Sequence, residues 1–234
     1  MISIITVVYN GARTIRDTLE SVCTQSLLPI EYLIIDGAST DNTLSVVNEY
    51  ATRYPFIKIV SEKDSGIYEA MNKGLALASG QLIGIINADD WYEPGAFESV
   101  YNSYQLNGSG VYYGIQRFLL DEKEFYLERV NPDFIGLKMV SHPSSFVTLD
   151  VYMQQGNFAA QYKYSADLEL FARYIKKGVP FFPVDSVLSN FRIGGMSSKP
   201  AASLESLKIR KNYGMINARE FYIQSVKKRL KLFF

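Results

Sequence analysis

The sequence holds one cysteine, Cys23, one histidine, His142, and one tryptophan, Trp91. A single cysteine excludes an intrachain disulfide framework and points to a reducing, cytoplasmic setting. Cys23 sits among helix-like residues and reads as core rather than nucleophile. Surplus charge is also lacking, with Lys+Arg and Asp+Glu at 24 each. That balance argues against a general nucleic-acid binder, whose phosphate contacts need basic residues in excess. No run reaches the ~18 uninterrupted apolar residues of a spanning helix. The opening MISIITVVYN lacks a basic n-region and a small-residue cleavage site, so it reads as a buried strand rather than a signal peptide. No Gly-x-Gly-x-x-Gly follows that strand, where VVYNGART stands instead, and a dinucleotide-dependent dehydrogenase is disfavoured. There is no internal repeat and no low-complexity tract.

What is present is an ordinary globular composition, 47% apolar and 21% charged over 234 residues, enough for one domain with a tail. Short β-rich runs alternate with amphipathic stretches: ISIITVVY, residues 12–25, EYLIIDG, residues 41–54, FIKIVSE, residues 66–79, QLIGIIN. Strands apolar on both faces and separated by helices predict a parallel sheet covered on two sides. In such sheets ligands bind beyond the carboxyl ends of the strands, and here those ends are polar: Tyr9-Asn10, Asp36-Gly37, Lys63-Asp64 and Asn87 to Asp90. Ser39, Thr40 and Asp41 offer N-caps for one helix, and Asp64, Ser65 and Gly66 for the next. Ile67, Met71 and Leu75 share a helical face and predict core, which leaves Tyr68, Asn72 and Lys73 for a solvated surface. Beyond residue 108 the pattern predicts a hairpin turning at Asp121-Glu122, a helix in YSADLELFARYIKKG closed by Gly178, and two short strands in PFFPVDSVLSNFRI.

The run LIGIINADDW brings two carboxylates to the mouth of an otherwise interior segment. Residues two apart on a strand share a face, so Asn87 and Asp89 point together if extension persists, with Asp90 opposed unless the chain turns. Two carboxylates about 4 Å apart repel by roughly 4 kcal/mol at an effective dielectric of ~20, so a cleft holding both needs a cation or a proton. Mg²⁺ or Mn²⁺, which takes one or two protein carboxylates and fills its shell with water and phosphate oxygens, suits few protein ligands. On pattern alone the pair serves equally well as turn residues before Pro94-Gly95.

The segments TVVYN, IIDGASTDNT, SEKDSGIYEAMNKGLALASGQLIGIINADDWYEPG, HPSSF, SADLELF and FRIGGMSS occur in this order. Together they resemble a bacterial family-two glycosyltransferase of the GT-A fold, over roughly residues 1–200. The resemblance implies an α/β, mostly parallel Rossmann-like sheet flanked by helices. A nucleotide-sugar half of about 1–108 and a mixed acceptor-side half of about 109–200 would precede a helical tail, 201–234.

By resemblance, Thr6, Tyr9 and Asn10 match the strand exit that lies against the nucleotide. Asp36 matches the first acid of the family's Asp-Asp-Gly-Ser element, expected to bond base or ribose, and Ser39 follows it. Gly37 and Ala38 stand in place of the usual acid and glycine. Asp64 matches another nucleotide-side position. Asn87-Ala88-Asp89 occupies the Asp-x-Asp element, so the ion, Mn²⁺ or Mg²⁺, is expected on Asp89, with Asp90 as a second ligand candidate. The family's base opens a helix, which here selects Asp167, preceded by Ala166 where an acid is usual. An aspartate is ionised near neutrality and works through position rather than strength; the same residue also suits a helix N-terminus as a dipole partner. Arg192 and the following GGMSSK are expected to close over the donor diphosphate. His142 is expected on the acceptor side or as a further metal contact, and Trp91 as a sugar-stacking platform or as core.

The activity this implies is inverting transfer from a nucleotide sugar, with UDP as the expected carrier, to a glycan or polyprenyl-linked acceptor in surface polysaccharide synthesis. Asn87 and Ala166 keep open a catalytically silent nucleotide-sugar-binding module. In the tail, residues 219–234 place Ile223, Val226, Leu230 and Phe233 on one side of a helix, with Lys227, Lys228, Arg229 and Lys231 flanking. That composition suits a peripheral helix on the inner face of a membrane, and equally a helix packed on the domain or a second subunit.

Overall fold

In the computed structural model, which describes residues 1–194 and 200–230, the chain begins with the expected alternation. β1 (Ile2–Val8), α1 (Ile15–Cys23), β2 (Glu31–Asp36), α2 (Thr43–Arg53), β3 (Ile57–Ser61), α3 (Ile67–Leu77) and β4 (Leu82–Asn87) follow in order. The four strands pair in parallel, β3-β2-β1-β4. Apolar residues alternate between two cores: Ile5, Val7, Leu33, Ile35, Ile83 and Ile85 face α3, while Ile4, Val8, Tyr32, Ile34, Leu82 and Ile86 face α1 and α2. A strand buried on both sides needs this continuous apolarity.

The second half makes the sheet mixed. β5 (Trp91–Tyr92) leads into α4 (Ala96–Asn107). β6 (Val111–Leu120), β7 (Lys123–Glu128), β8 (Ser145–Thr148) and β9 (Phe181–Arg192) then extend the sheet in the order β4-β8-β6-β9-β5, with β7 on β6. β8 is antiparallel to β4 and β6, and β9 is parallel to β6. The hairpin turns where expected, Asp121 and Glu122 both taking positive φ (50° and 60°), the geometry of a tight two-residue turn. PFFPVDSVLSNFRI forms one strand, not two: β9 runs parallel to β6 throughout and absorbs its irregularity as register shifts near Ile115.

α5 (Leu149–Gln155), α6 (Ala166–Lys176), α7 (Pro200–Asn212) and α8 (Ala218–Leu230) complete the chain. α6 buries Leu168, Leu170 and Phe171 against the α3 side, and α7 adds Ile209 to that core. Burying such a side chain contributes roughly 1.5–3 kcal/mol. α3 lies unusually close to β1, because a Cβ on Gly74 would stand 2.6 Å from Ile5 Cγ2.

Candidate active site

The parallel strands deliver their carboxyl ends to one side, where a cavity of ≈ 1260 Å³ opens between the two halves of the chain. Of the residues expected in the site, Tyr9, Asn10, Asp64, Asn87, Ala88, Asp89, His142 and Asp167 line it. Asp89 and Asp167 thus share one hollow.

The first wall is built from turns. Asn10, at φ 52°, accepts the Thr40 N–H on its side-chain oxygen at 2.8 Å, and its own N–H is donated to Ser39 Oγ at 2.8 Å. Ser39 is therefore spent on tying β1 to the β2 turn, and it does not reach the cavity wall. Ala38 holds a left-handed φ of 62°, a conformation that glycine adopts without cost and alanine does not. At Gly37 a Cβ would meet Asp64 Oδ2 at 2.7 Å, so the Asp64 carboxylate fills the space a side chain there would need. Asp36 is fully buried, accepting from Ser61 Oγ (2.6 Å) and the Ser39 N–H (3.0 Å) on Oδ2, while Oδ1 has no partner. Thr6 is also fully buried, bonded to the Tyr32 hydroxyl at 2.9 Å. Neither Thr6 nor Asp36 lies on the wall.

At the end of β4 the chain turns, the Asp90 N–H reaching back to the Asn87 carbonyl at 3.1 Å. The turn sends the two acids apart. Asp89 lines the cavity, whereas Asp90 is 0% exposed, with its Oδ1 accepting the Arg192 N–H at 3.1 Å and its Oδ2 unpartnered. Burial, and then the charge of Asp89, push the Asp90 carboxyl well above the usual carboxylate range. Asp90 is thus withdrawn from the cavity where a ligand to the ion would have to stand.

Arg192 departs from expectation too. Its guanidinium donates to Glu122 Oε1 (2.8 Å), Asp17 Oδ2 (2.6 Å) and the Asp89 carbonyl (2.8 Å), and lies 4.4 Å from the centre of the Trp91 ring. Neither Arg192 nor Trp91 lines the cavity. The Arg192 guanidinium covers one face of the half-buried Trp91 ring. Residues 195–199, which hold most of the expected closing loop, lie outside the described residues.

Across the cavity Asp167 opens α6 at 4% exposure. Its Oδ1 accepts the Tyr68 hydroxyl at 3.1 Å and its own helix's Leu168 N–H at 2.9 Å, while Oδ2 meets His142 Nδ1 at 3.2 Å. His142 Nε2 is buried with no partner. The surface expected for Tyr68, Asn72 and Lys73 is corrected here: Tyr68 is 6% exposed and lines the cavity. Asn72 pins Phe158 by its backbone carbonyl (2.8 Å) and N–H (3.0 Å), and only Lys73 serves the surface, paired with Glu62 at 2.9 Å. Helical spacing alone cannot reveal this, since the element that covers Tyr68 lies 99 residues further along the chain.

Among the described residues no group of three or more His, Cys, Asp or Glu gathers as a metal cage. The donors present fit a different kind of ion, one whose shell is completed by substrate oxygens. Asp89 stands on the wall, and Asn87 Oδ1 beside it is buried without a partner.

The sheet order, the cavity at the strand ends and the paired halves define a GT-A fold. A model of glycosyl transferase family 2 matches residues 3–163, and the chain belongs to that family. Its relatives include the uncharacterized glycosyltransferase YibD of Escherichia coli K12, 31% identical over 42% of this chain and 29% of that protein. They also include the chondroitin synthase of Pasteurella multocida Pm70, 26% identical over 76% of this chain and 19% of that one. The chain therefore spans under a third of the length of these relatives. Among solved structures, S. aureus TarS 1–349 in complex with UDP-GlcNAc superposes at a TM-score of 0.73, with 16% identity, over 95% of this chain and 69% of that one. The mannosyltransferase PcManGT of Pyrobaculum calidifontis, in complex with GDP-Man and Mn²⁺, superposes at 0.68 with 17% identity, over 88% and 61%.

Proposed function

We propose that the chain is a metal-dependent, inverting glycosyltransferase that moves a sugar from a nucleotide-sugar donor, with UDP as the favoured carrier, to a glycan or lipid-linked acceptor in surface polysaccharide synthesis. The observation that carries the reading is that Asp89 and Asp167 line one cavity from opposite halves of the fold. Relatives that make polysaccharide and structural neighbours that hold UDP-GlcNAc or GDP-Man support it.

In this reading Tyr9, Asn10 and Asp64 receive the nucleotide, with Asp36 behind them. Asp89 would hold Mn²⁺ or Mg²⁺, with Asn87 beside it, and the ion would offset charge on the departing diphosphate. Asp167 accepts the proton of the acceptor hydroxyl as that oxygen bonds to the anomeric carbon and the bond to the diphosphate breaks. One displacement inverts the anomeric centre. His142 lies on the acceptor side through its contact with Asp167, and Asp90 is left out of the ligand set.

The tail is read as a peripheral membrane contact. Among the described residues no helix is long and apolar enough to cross a membrane, and Tyr222, Ile223 and Val226 stand exposed along α8.

The test is a panel of UDP-, GDP- and dTDP-sugars incubated with the protein and Mn²⁺. Release of free nucleoside diphosphate that EDTA abolishes is expected. Donor binding without release would support the silent module instead, and neither binding nor release would reject both.

A further inference from the structure

We propose that Tyr68 and His142 are positioning residues that together aim Asp167, leaving its Oδ2 as the atom that takes the acceptor proton. The proposal rests on the reading of Asp167 as the base.

Asp167 reaches the cavity on a side chain that could rotate freely at the start of α6, yet both its oxygens are held. Oδ1 has two donors, the Tyr68 hydroxyl at 3.1 Å and the Leu168 N–H at 2.9 Å. Oδ2 has one, His142 Nδ1 at 3.2 Å. Each carboxylate oxygen accepts about two hydrogen bonds, so Oδ1 is filled and Oδ2 keeps one free site. An ionised carboxylate only accepts, so Nδ1 is the His142 atom that donates in this pair.

The Tyr68 ring is itself fixed. It stacks on Phe158 with centroids 5.6 Å apart and planes at 26°, and Asn72, one turn along α3, grips both backbone groups of Phe158. Burial, reinforced by the Asp167 charge, pushes the Tyr68 phenol above its ordinary range, so it remains a neutral donor. Three charged groups on the surrounding elements are engaged with other partners. Glu169 on α6 bonds Arg173 and Tyr213, and Glu205 on α7 accepts the Lys163 and Tyr164 N–H groups. On the loop before β8, Lys138 pairs with Glu128. Tyr68 and His142 are then the two side chains that set the direction of this carboxylate.

The acceptor O–H bond breaks, its proton passes to Oδ2, its oxygen bonds the anomeric carbon, and the diphosphate leaves with the electron pair of the old bond. Removing one donor frees the carboxylate to swing, and misplacement of a reacting group by about 1 Å costs on the order of 10²-fold in rate.

The experiment measures kcat, donor KM, Mn²⁺-dependent UDP binding and melting temperature for Tyr68→Phe, His142→Ala and His142→Asn. The donor is the panel sugar that releases most nucleoside diphosphate, with water as acceptor where no other is supplied. Expected are kcat losses of roughly 10- to 100-fold for Tyr68→Phe and His142→Ala, with donor KM and UDP binding within about twofold. His142→Asn, whose amide N–H stands near the place of Nδ1, should recover part of the loss. In an Asp167→Asn background Tyr68→Phe should change nothing further. Wild-type kcat in Tyr68→Phe and His142→Ala, or equal fold losses in both backgrounds, would overturn the positioning role. Should Tyr68→Phe melt at assay temperature, the His142→Ala and His142→Asn pair decides alone. Normal turnover by Asp167→Asn would instead overturn the base assignment, a separate and distinguishable failure.

Discussion

Asp89 and Asp90 are neighbours in sequence, and a single turn gives them opposite environments. Asp89 faces the cavity and keeps a place for the donor, while Asp90 is sealed behind it with one oxygen unpartnered. The native Asp90 carboxyl titrates well above its unfolded counterpart. Between those two values the native state binds the extra proton, so native stability falls as pH rises through that window. Asp90→Asn removes this loss. Urea unfolding at pH 5 and pH 8 should show the variant gaining on the wild type at the higher pH, with Mn²⁺-dependent donor binding retained. A variant that loses the metal response would restore Asp90 to the ligand set. At this scale Asp89, His142 and Asp167 were legible as chemical types in their motifs. Tyr68 was not, because its distance from the Ile67, Met71 and Leu75 stripe reads as solvent until α6 covers it. Arg192 was legible as a guanidinium, but its partners Asp17 and Glu122 are 175 and 70 residues away.

At the scale of elements, the parallel half follows from apolar runs punctuated by caps, and its helices begin and end within a few residues of the expected limits. The second half was harder to read. β8 has four residues and β5 two, too few for a period of two to show, and β9 hides its continuity behind Pro183 and Asp185 near its start. α7 carries buried Leu207 and Ile209, and Glu205 ties it to the loop before α6. α8 is different, with Tyr222, Ile223 and Val226 exposed, while Phe233 and Lys231 lie outside the described residues. Each basic residue near an anionic bilayer contributes about 1 kcal/mol. Deleting residues 219–234 should therefore abolish flotation with vesicles of anionic phospholipid at low salt. Unchanged flotation would remove the tail from the membrane and leave it as a packing element.

For the whole molecule, the arrangement that matters is a parallel sheet whose carboxyl ends meet a mixed extension across one cavity. The turn after β4 supplies Asp89, and α6, between β8 and β9 of the extension, supplies Asp167, so neither half is complete without the other. The mixed acceptor-side half was expected from the resemblance, whereas its closure over the strand ends depends on β4 pairing with β8, a contact between residues more than 60 apart in the chain. The most direct test of the account is calorimetric titration of the panel donor, with and without Mn²⁺, into the wild type, Asp89→Asn and Asp167→Asn, alongside turnover of each. Asp89→Asn should weaken Mn²⁺-dependent donor binding by roughly 10- to 100-fold. Asp167→Asn should bind donor as the wild type does and lose roughly 10²- to 10⁴-fold in transfer. Wild-type turnover by Asp167→Asn, or undiminished Mn²⁺-dependent binding by Asp89→Asn, would contradict the division of roles across the cavity.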